Sequence, residues 1–149
     1  MQNKFFYYES YMFSENDKSA ARATYSNVSG SIYYDELIDA VCLTLIGFVE
    51  SANYRALLNK SIELLAQCKT CKLLSDTSQM EVIAIEDQDW SENDWAKRAI
   101  AAGLKYNAIV LSMDILSKLS IEYITNHAKV VNVKYFDNVA DAKTWLKML

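Results

Sequence analysis

The 149-residue sequence has no proline, three glycines and one histidine, and each scarcity closes off a class of chemistry. Phosphate-cradling loops of the GxGxxG or P-loop kind need clustered glycines so that the backbone can turn tightly and approach the ligand. Gly30, Gly47 and Gly103 stand far apart, so nucleotide hydrolysis of the familiar kinds is not expected. A Ser-His-Asp triad would have to use His127, and nothing ties that residue to a particular serine. A lone histidine on the side of a helix is more often a core-edge or surface residue than a ligand. Long apolar runs are missing too. The longest, Ala40 to Val49 (AVCLTLIGFV), falls far short of the ~20 residues a membrane-spanning helix needs. Met1 leads straight into an aromatic stretch without a basic flank or a small-residue cleavage site, so no signal peptide is read and a cytoplasmic protein is expected. There is no excess of positive charge: nineteen acidic residues face fifteen basic ones, for a net charge of -4 and a pI near 5. Nucleic-acid binding, which wants a basic face, is not expected.

Three cysteines cannot close a disulfide framework. Cys42 sits inside an apolar run and reads as a small core residue. Cys68 and Cys71 form a CxxC, which invites a redox or zinc reading. The pair falls at a helix C-terminus, where the dipole works against a low thiol pKa, and a zinc site would lack two ligands. The plainer reading is a helix-to-strand turn. No metal or cofactor is expected.

What is present is a packed core: 52% of residues are hydrophobic and 12% aromatic. With no internal repeat and no flexible linker, residues 1–149 read as a single domain. Phe5 to Phe13 (FFYYESYMF) has the aromatic character of a strand, and Ala21 to Val28 reads as a second strand paired with it as a hairpin. Ser29-Gly30-Ser31 punctuates the chain, and Ile32 to Asp39 is undecided. Val41 to Val49 is apolar at both parities, as in a central strand buried on both faces. Ser51 or Asn53 caps a helix running to about Gln67, with Tyr54, Leu57, Leu58, Ile62 and Leu65 on one stripe and Arg55 off it as a solvated base.

Cys71 to Ser112 gathers the polar chemistry. Lys72 to Asp76 reads as a short strand, followed by a loop and a helix from about Glu86 to Ala102 that stops at Gly103. On that helix Trp95, Ala99 and Ala102 share a face. Trp90, five residues earlier, lies about 140° away on an ideal α-helix. The two tryptophans are therefore not expected on one core line, and one of them is a candidate for a cleft or an interface. Glu86, Asp87, Asp89, Glu92 and Asp94 read as acids favouring a helix start rather than as a calcium loop, which needs a glycine and ligands at alternate positions. Asn107 to Ser112 is a buried strand. Asp114 caps a helix carrying Leu116, Leu119, Tyr123 and His127 along one side. Val130 to Phe136 is a further strand. Asp137 or Asn138 caps the last helix, with Ala142, Trp145, Leu146 and Leu149 facing inward. The order is β-β-β-α-β-α-β-α-β-α: an antiparallel start, then crossover units that build a parallel sheet.

Four pieces of the chain, in their order and spacing, resemble a family of small bacterial proteins, common in Bacteroidetes, with a STAS-like (anti-sigma-factor-antagonist-like) fold. They are Leu45-Ile46-Gly47-Phe48 with Tyr54-Arg55; Leu74-Ser75-Asp76; Glu86-Asp87-Gln88 through Trp90, Trp95, Ala102-Gly103 and Lys105; and Tyr135-Phe136-Asp137 with Ala142 and Trp145-Leu146. The resemblance covers about two thirds of the chain. It implies an α/β STAS-like domain, a mixed sheet with an antiparallel hairpin followed by parallel βα units. In better-understood STAS domains a serine after a central strand is phosphorylated and switches partner binding. The similar stretch here runs from Ser75 to Met80. It lacks the glycine of that setting and stands several residues before the helix, so Thr77 and Ser78 are candidate switch hydroxyls beside Asp76 rather than a match to the motif. The acidic helix start at Glu86 and Asp87 would also repel an added phosphate.

Three functions follow as expectations. The first is a non-enzymatic regulatory or protein-interaction module with an unknown protein partner, using Trp90 and Trp95 or the aromatic N-terminal strand, which is also a pairing surface for a homodimer. The second is a small-molecule or lipid-binding module with a pocket at the carboxyl ends of the parallel strands, near Asp76 and Ser112. The third is an enzyme using Asp76, Ser78 and Glu86 at the same edge. The first is the reading preferred.

Overall fold

A computed structural model describes residues 24–111, 118–121 and 131–149. Six strands form one sheet in the order β1 to β6: β1 (Thr24–Asn27), β2 (Gly30–Asp35), β3 (Ala40–Gly47), β4 (Lys72–Met80), β5 (Tyr106–Val110) and β6 (Asn132–Phe136). β1, β2 and β3 pair antiparallel, and β3 through β6 pair parallel. Helix α1 (Ser51–Cys68) joins β3 to β4. α2 (Ile85–Trp90), a π-helical turn (Ser91–Trp95) and α3 (Ala96–Ala101) follow one another without a break between β4 and β5. Residues 118–121 are helical, and α4 (Val139–Lys147) closes the chain.

Alternation along the strands sorts the core into two layers. Ile32, Leu43, Leu45, Leu73 and Ile109 face α1 and the α2–α3 rod, where Leu57, Leu64, Leu65, Trp95 and Ala99 meet them. Cys42, Leu74, Ala108 and Val110 face the other way, onto Ala142 and Leu146 of α4. The small side chains at Cys42, Ala108 and Ala142 let that helix approach closely. β3 is buried on both faces, as its unbroken apolar run requires.

Several expectations are corrected and others are met; the expected pairing of Phe5 to Phe13 with Ala21 to Val28 lies outside the described residues. The hairpin that is seen joins β1 to β2, so Gly30 begins a strand rather than ending one. Its place is steric: a Cβ there would stand 2.0 Å from the Thr44 carbonyl oxygen. The undecided stretch Ile32 to Asp39 divides: its first half completes β2, buried through Ile32 and Asp35, and 36–39 are turn. Neither Ser51 nor Asn53 caps α1; Glu50 holds the N-cap position without a side-chain bond, and Ser51 turns its hydroxyl elsewhere. Asn138 does cap α4, accepting from the Asp141 amide at 2.9 Å. Leu149 is exposed rather than inward. In the helix after β5, Leu119 is exposed while Ser120 and Ile121 are buried, so the inward side is not the one through Leu119. Asp114, Leu116, Tyr123 and His127 lie outside the described residues. Cys68 and Cys71 flank a left-handed turn at Lys69 (φ 53°), a plain helix-to-strand connection.

Candidate functional site

The candidate switch segment is strand, not loop. β4 continues to Met80 because its parallel pairing with β3 goes on past Thr44–Asp76 to Ile46–Gln79 and Gly47–Met80. One extra residue on β4 is taken up as a bulge between those pairs. Asp76 Oδ1 accepts from the Ser78 amide at 3.0 Å and from the Ser78 hydroxyl at 2.6 Å, a local bond that shapes the bulge. Thr77 is buried, and its hydroxyl donates to the Val110 carbonyl at 2.7 Å, tying β4 to β5. Ser75 donates to Asn107 Oδ1 at 3.0 Å. The Thr77 hydroxyl is a structural tie, and the Ser78 hydroxyl is engaged by Asp76.

The acids divide in the same way. Glu86 is exposed in the first turn of α2, as expected for an acid that favours a helix start. Asp87 is 1% exposed. Its Oδ1 accepts from Ser51 Oγ at 2.7 Å and from Arg55 Nε at 2.8 Å, so Arg55 is a pairing partner rather than a solvated base. Its other oxygen, Oδ2, is buried without a hydrogen-bond partner among the described residues. Ser51 and Arg55 are four apart on α1 and therefore share a face. That spacing was the sequence signal that both could reach one acceptor, and it was missed. One turn on, the Tyr54 hydroxyl meets Ser91 Oγ at 2.8 Å. Burial pushes the Tyr54 phenol above its ordinary pKa; the Ser91 hydrogen bond opposes that, and the Asp87 charge adds to it. The starts of α1 and α2 are thus latched together at the carboxyl ends of β3 and β4.

The two tryptophans stand closer in direction than an α-helix would place them. The Ala96 amide bonds to the Ser91 carbonyl, five residues back, so the π turn spends an extra residue and brings Trp90 and Trp95 round toward the same side. Trp95 is buried, and its Nε1 donates to the Leu58 carbonyl at 2.9 Å and to Ser61 Oγ at 3.2 Å. Trp90 is half-buried against the same core. The Arg55 and Arg98 guanidiniums lie 5.0 and 5.7 Å from its ring, and Tyr54 packs edge-on at 6.4 Å. Arg98 is itself held by Asp94 and Asn59.

A cavity of about 60 Å³ lies between the sheet and the helices, lined among others by Leu43, Tyr54, Thr77, Trp95, Asn107 and Ile121. It is partly open and lies on the face of the sheet that α1 covers, whereas Asp76 is paired into a row facing the α4 side; Ser112 lies outside the described residues. At roughly 10–15 Å³ per water the cavity has room for on the order of a few waters, against ~300 Å³ or more for a drug-sized ligand. Among the described residues no group of three or more His, Cys, Asp or Glu could hold a metal ion, and no helix is long and apolar enough to cross a membrane.

The fold has solved counterparts. An uncharacterised protein of the DUF3478 family with a SpoIIAA-like fold, from Shewanella loihica PV-4, superposes with a TM-score of 0.55 at 19% identity, over 82% of this chain and 98% of that one. An anti-sigma factor antagonist from Mycobacterium paratuberculosis superposes more loosely, with a TM-score of 0.49 at 12% identity, over 87% of this chain and 98% of its own. No protein-family model and no curated protein matches the sequence. The class is therefore a SpoIIAA-like, STAS-like α/β fold, as the resemblance in the sequence implied.

Proposed function

We infer that the chain is one STAS-like domain acting as a non-enzymatic regulatory module, whose work is to bind another protein. The observation that carries this reading is the commitment of the polar side chains at the strand ends. Thr77, Asp87, Ser91 and Ser51 bond to one another, to Tyr54 and Arg55, or to backbone, as parts of the frame rather than as groups aimed at a substrate. A catalytic group needs an open position beside it where a reacting atom can sit. The small volume of the cavity weighs against the ligand-binding alternative. Pairing of two copies belongs to the same proposal, since β1 is an edge strand with a side that no described strand covers.

Native mass spectrometry of protein purified gently from its own host tests this reading. The expected result is an added mass of protein size, or a dimer, on an otherwise bare chain. A chain that instead carries a stoichiometric small molecule and no protein would overturn the reading.

A further inference from the structure

The carboxyl ends of β3 and β4 carry an exposed apolar patch among which acids outnumber bases in the described residues. Four contacts bring its segments together. The Ile46 amide bonds to the Ser29 carbonyl, placing the β1–β2 turn beside the end of β3. The Glu81 amide bonds to the Gly47 carbonyl, placing the chain after β4 beside the chain after β3. Asn27 Nδ2 bonds to the Asn53 carbonyl, and Ser51 to Asp87, which brings in the starts of α1 and α2. On these segments Val28 is 84%, Phe48 69% and Ile85 71% exposed, and Ile46 and Val82 are each 40% exposed. Large apolar side chains this open, grouped rather than scattered, mark interaction surfaces.

Charge selects the partner. Residues 24–54 contain no lysine or arginine, and the stretch between Lys72 and Lys97 holds seven acids and no base. Of the described cations at this edge, Arg55 is taken by Asp87, and Lys118 stands exposed two residues before Ser120, which meets Gln88 of α2, so the acids outnumber the bases. Glu50, Glu81, Glu86 and Asp89 are exposed, and none pairs with a cation among the described residues. A surface of this kind repels anionic membranes and nucleic acid, and attracts a cation that carries its own apolar side chains.

Resting on the interaction-module reading, we propose that this edge docks a basic amphipathic polypeptide segment of a partner protein. Phe48, Val82 and Ile85 receive its apolar side chains, and the surrounding acids receive its lysines or arginines. The acids set the rate and selectivity of encounter, and the apolar contacts hold the complex.

The test titrates the isotope-labelled full chain with two peptides of equal length and apolar pattern, one bearing lysines and one glutamates at its charged positions. Zwitterionic vesicles serve as a third probe. The expected result is that the lysine peptide alone shifts the amides of Phe48, Val82 and Ile85. Its affinity should fall at least about tenfold between about 50 and about 500 mM salt. A Phe48→Asp/Ile85→Asp double variant that keeps the native spectrum elsewhere should lose the shifts. Equal binding of the glutamate peptide, shifts confined to β6 or α4, vesicle binding in place of peptide binding, or no binding at all would each overturn the proposal. These outcomes leave the broader reading separately scored, because a protein partner of other chemistry would still appear as added mass in the native preparation.

Discussion

The two ends of the sheet are built on opposite plans. At the amino ends of the parallel strands the connections are knitted shut. Lys72 is buried and spends its ammonium on two carbonyls, Ile38 at 3.1 Å and Leu146 at 3.0 Å, joining the β2–β3 turn to the last turn of α4. Thr70 donates to the Asp39 carbonyl, and the Lys105 and Tyr106 amides both reach the Cys71 carbonyl. This end also exposes apolar residues, Leu37 and Met148. They are interspersed with charges of both signs, including Glu36, Asp39, Lys69, Lys105 and Lys147. At the carboxyl ends the polar bonds are internal latches, and what faces outward among the described residues is apolar and predominantly acidic, with Arg55 held by Asp87. One end mixes charges of both signs around its closed connections, and the other presents mainly acids around its apolar side chains.

Breaking the closed end should cost most. Lys72→Met removes the shared donor and leaves the Ile38 and Leu146 carbonyls unpaired, for an expected loss of about 2–4 kcal/mol in a urea titration. At the open end, Arg55→Ala strips the cation from a buried carboxylate, one of whose oxygens is unpaired among the described residues. It should cost about 2 kcal/mol, since Arg55 is partly exposed, and pairing it with Asp87→Asn should recover part of the loss. The sheet between the two ends supplies a pH test. Burial pushes the Cys42 thiol up to about 12, and the Asp35 charge adds to the shift. A folded pKa above the unfolded value of about 8.5 means stability that is fully present below that pH and lost as pH rises toward 12, at about 1.4 kcal/mol per pH unit. Cys42→Ala should flatten that decline near pH 9, before the tyrosines titrate, as read from urea midpoints against pH. Thr77→Val, which keeps the shape and removes the bond to Val110, should cost about 1 kcal/mol by the same titration. The smallest expected effect is at the patch: Phe48→Asp should change stability by no more than about 0.5 kcal/mol while abolishing binding of the lysine peptide.

Much of this frame was legible because it rests on local rules. The two-sided burial of β3, the stop at Gly103, a cap at Asp137 or Asn138 and the helix-to-strand turn at the CxxC follow from periodicity, glycine and capping arguments. What escaped is what tertiary pairing decides. Asp76-Thr77-Ser78 has the composition of a turn, but its neighbours β3 and β5 supply partners that keep it in the sheet through Met80. Trp90 and Trp95 were placed by ideal α-helical geometry, and the π turn between them changes their angle. Arg55 looked solvated because its partner lies 32 residues away on another helix. The acids at 86 and 87 are adjacent in sequence yet opposite in role, one exposed and one buried, and no pattern in a single chain distinguishes them.

The most direct test of the account is hydroxyl-radical footprinting of the protein alone and bound to the lysine peptide. The account predicts that oxidation of Phe48, Val82 and Ile85 is suppressed in the complex while Leu37 and Met148 stay as reactive as before. Protection of Leu37 and Met148 with Phe48, Val82 and Ile85 unchanged would contradict it, and would move the functional surface to the opposite end of the sheet.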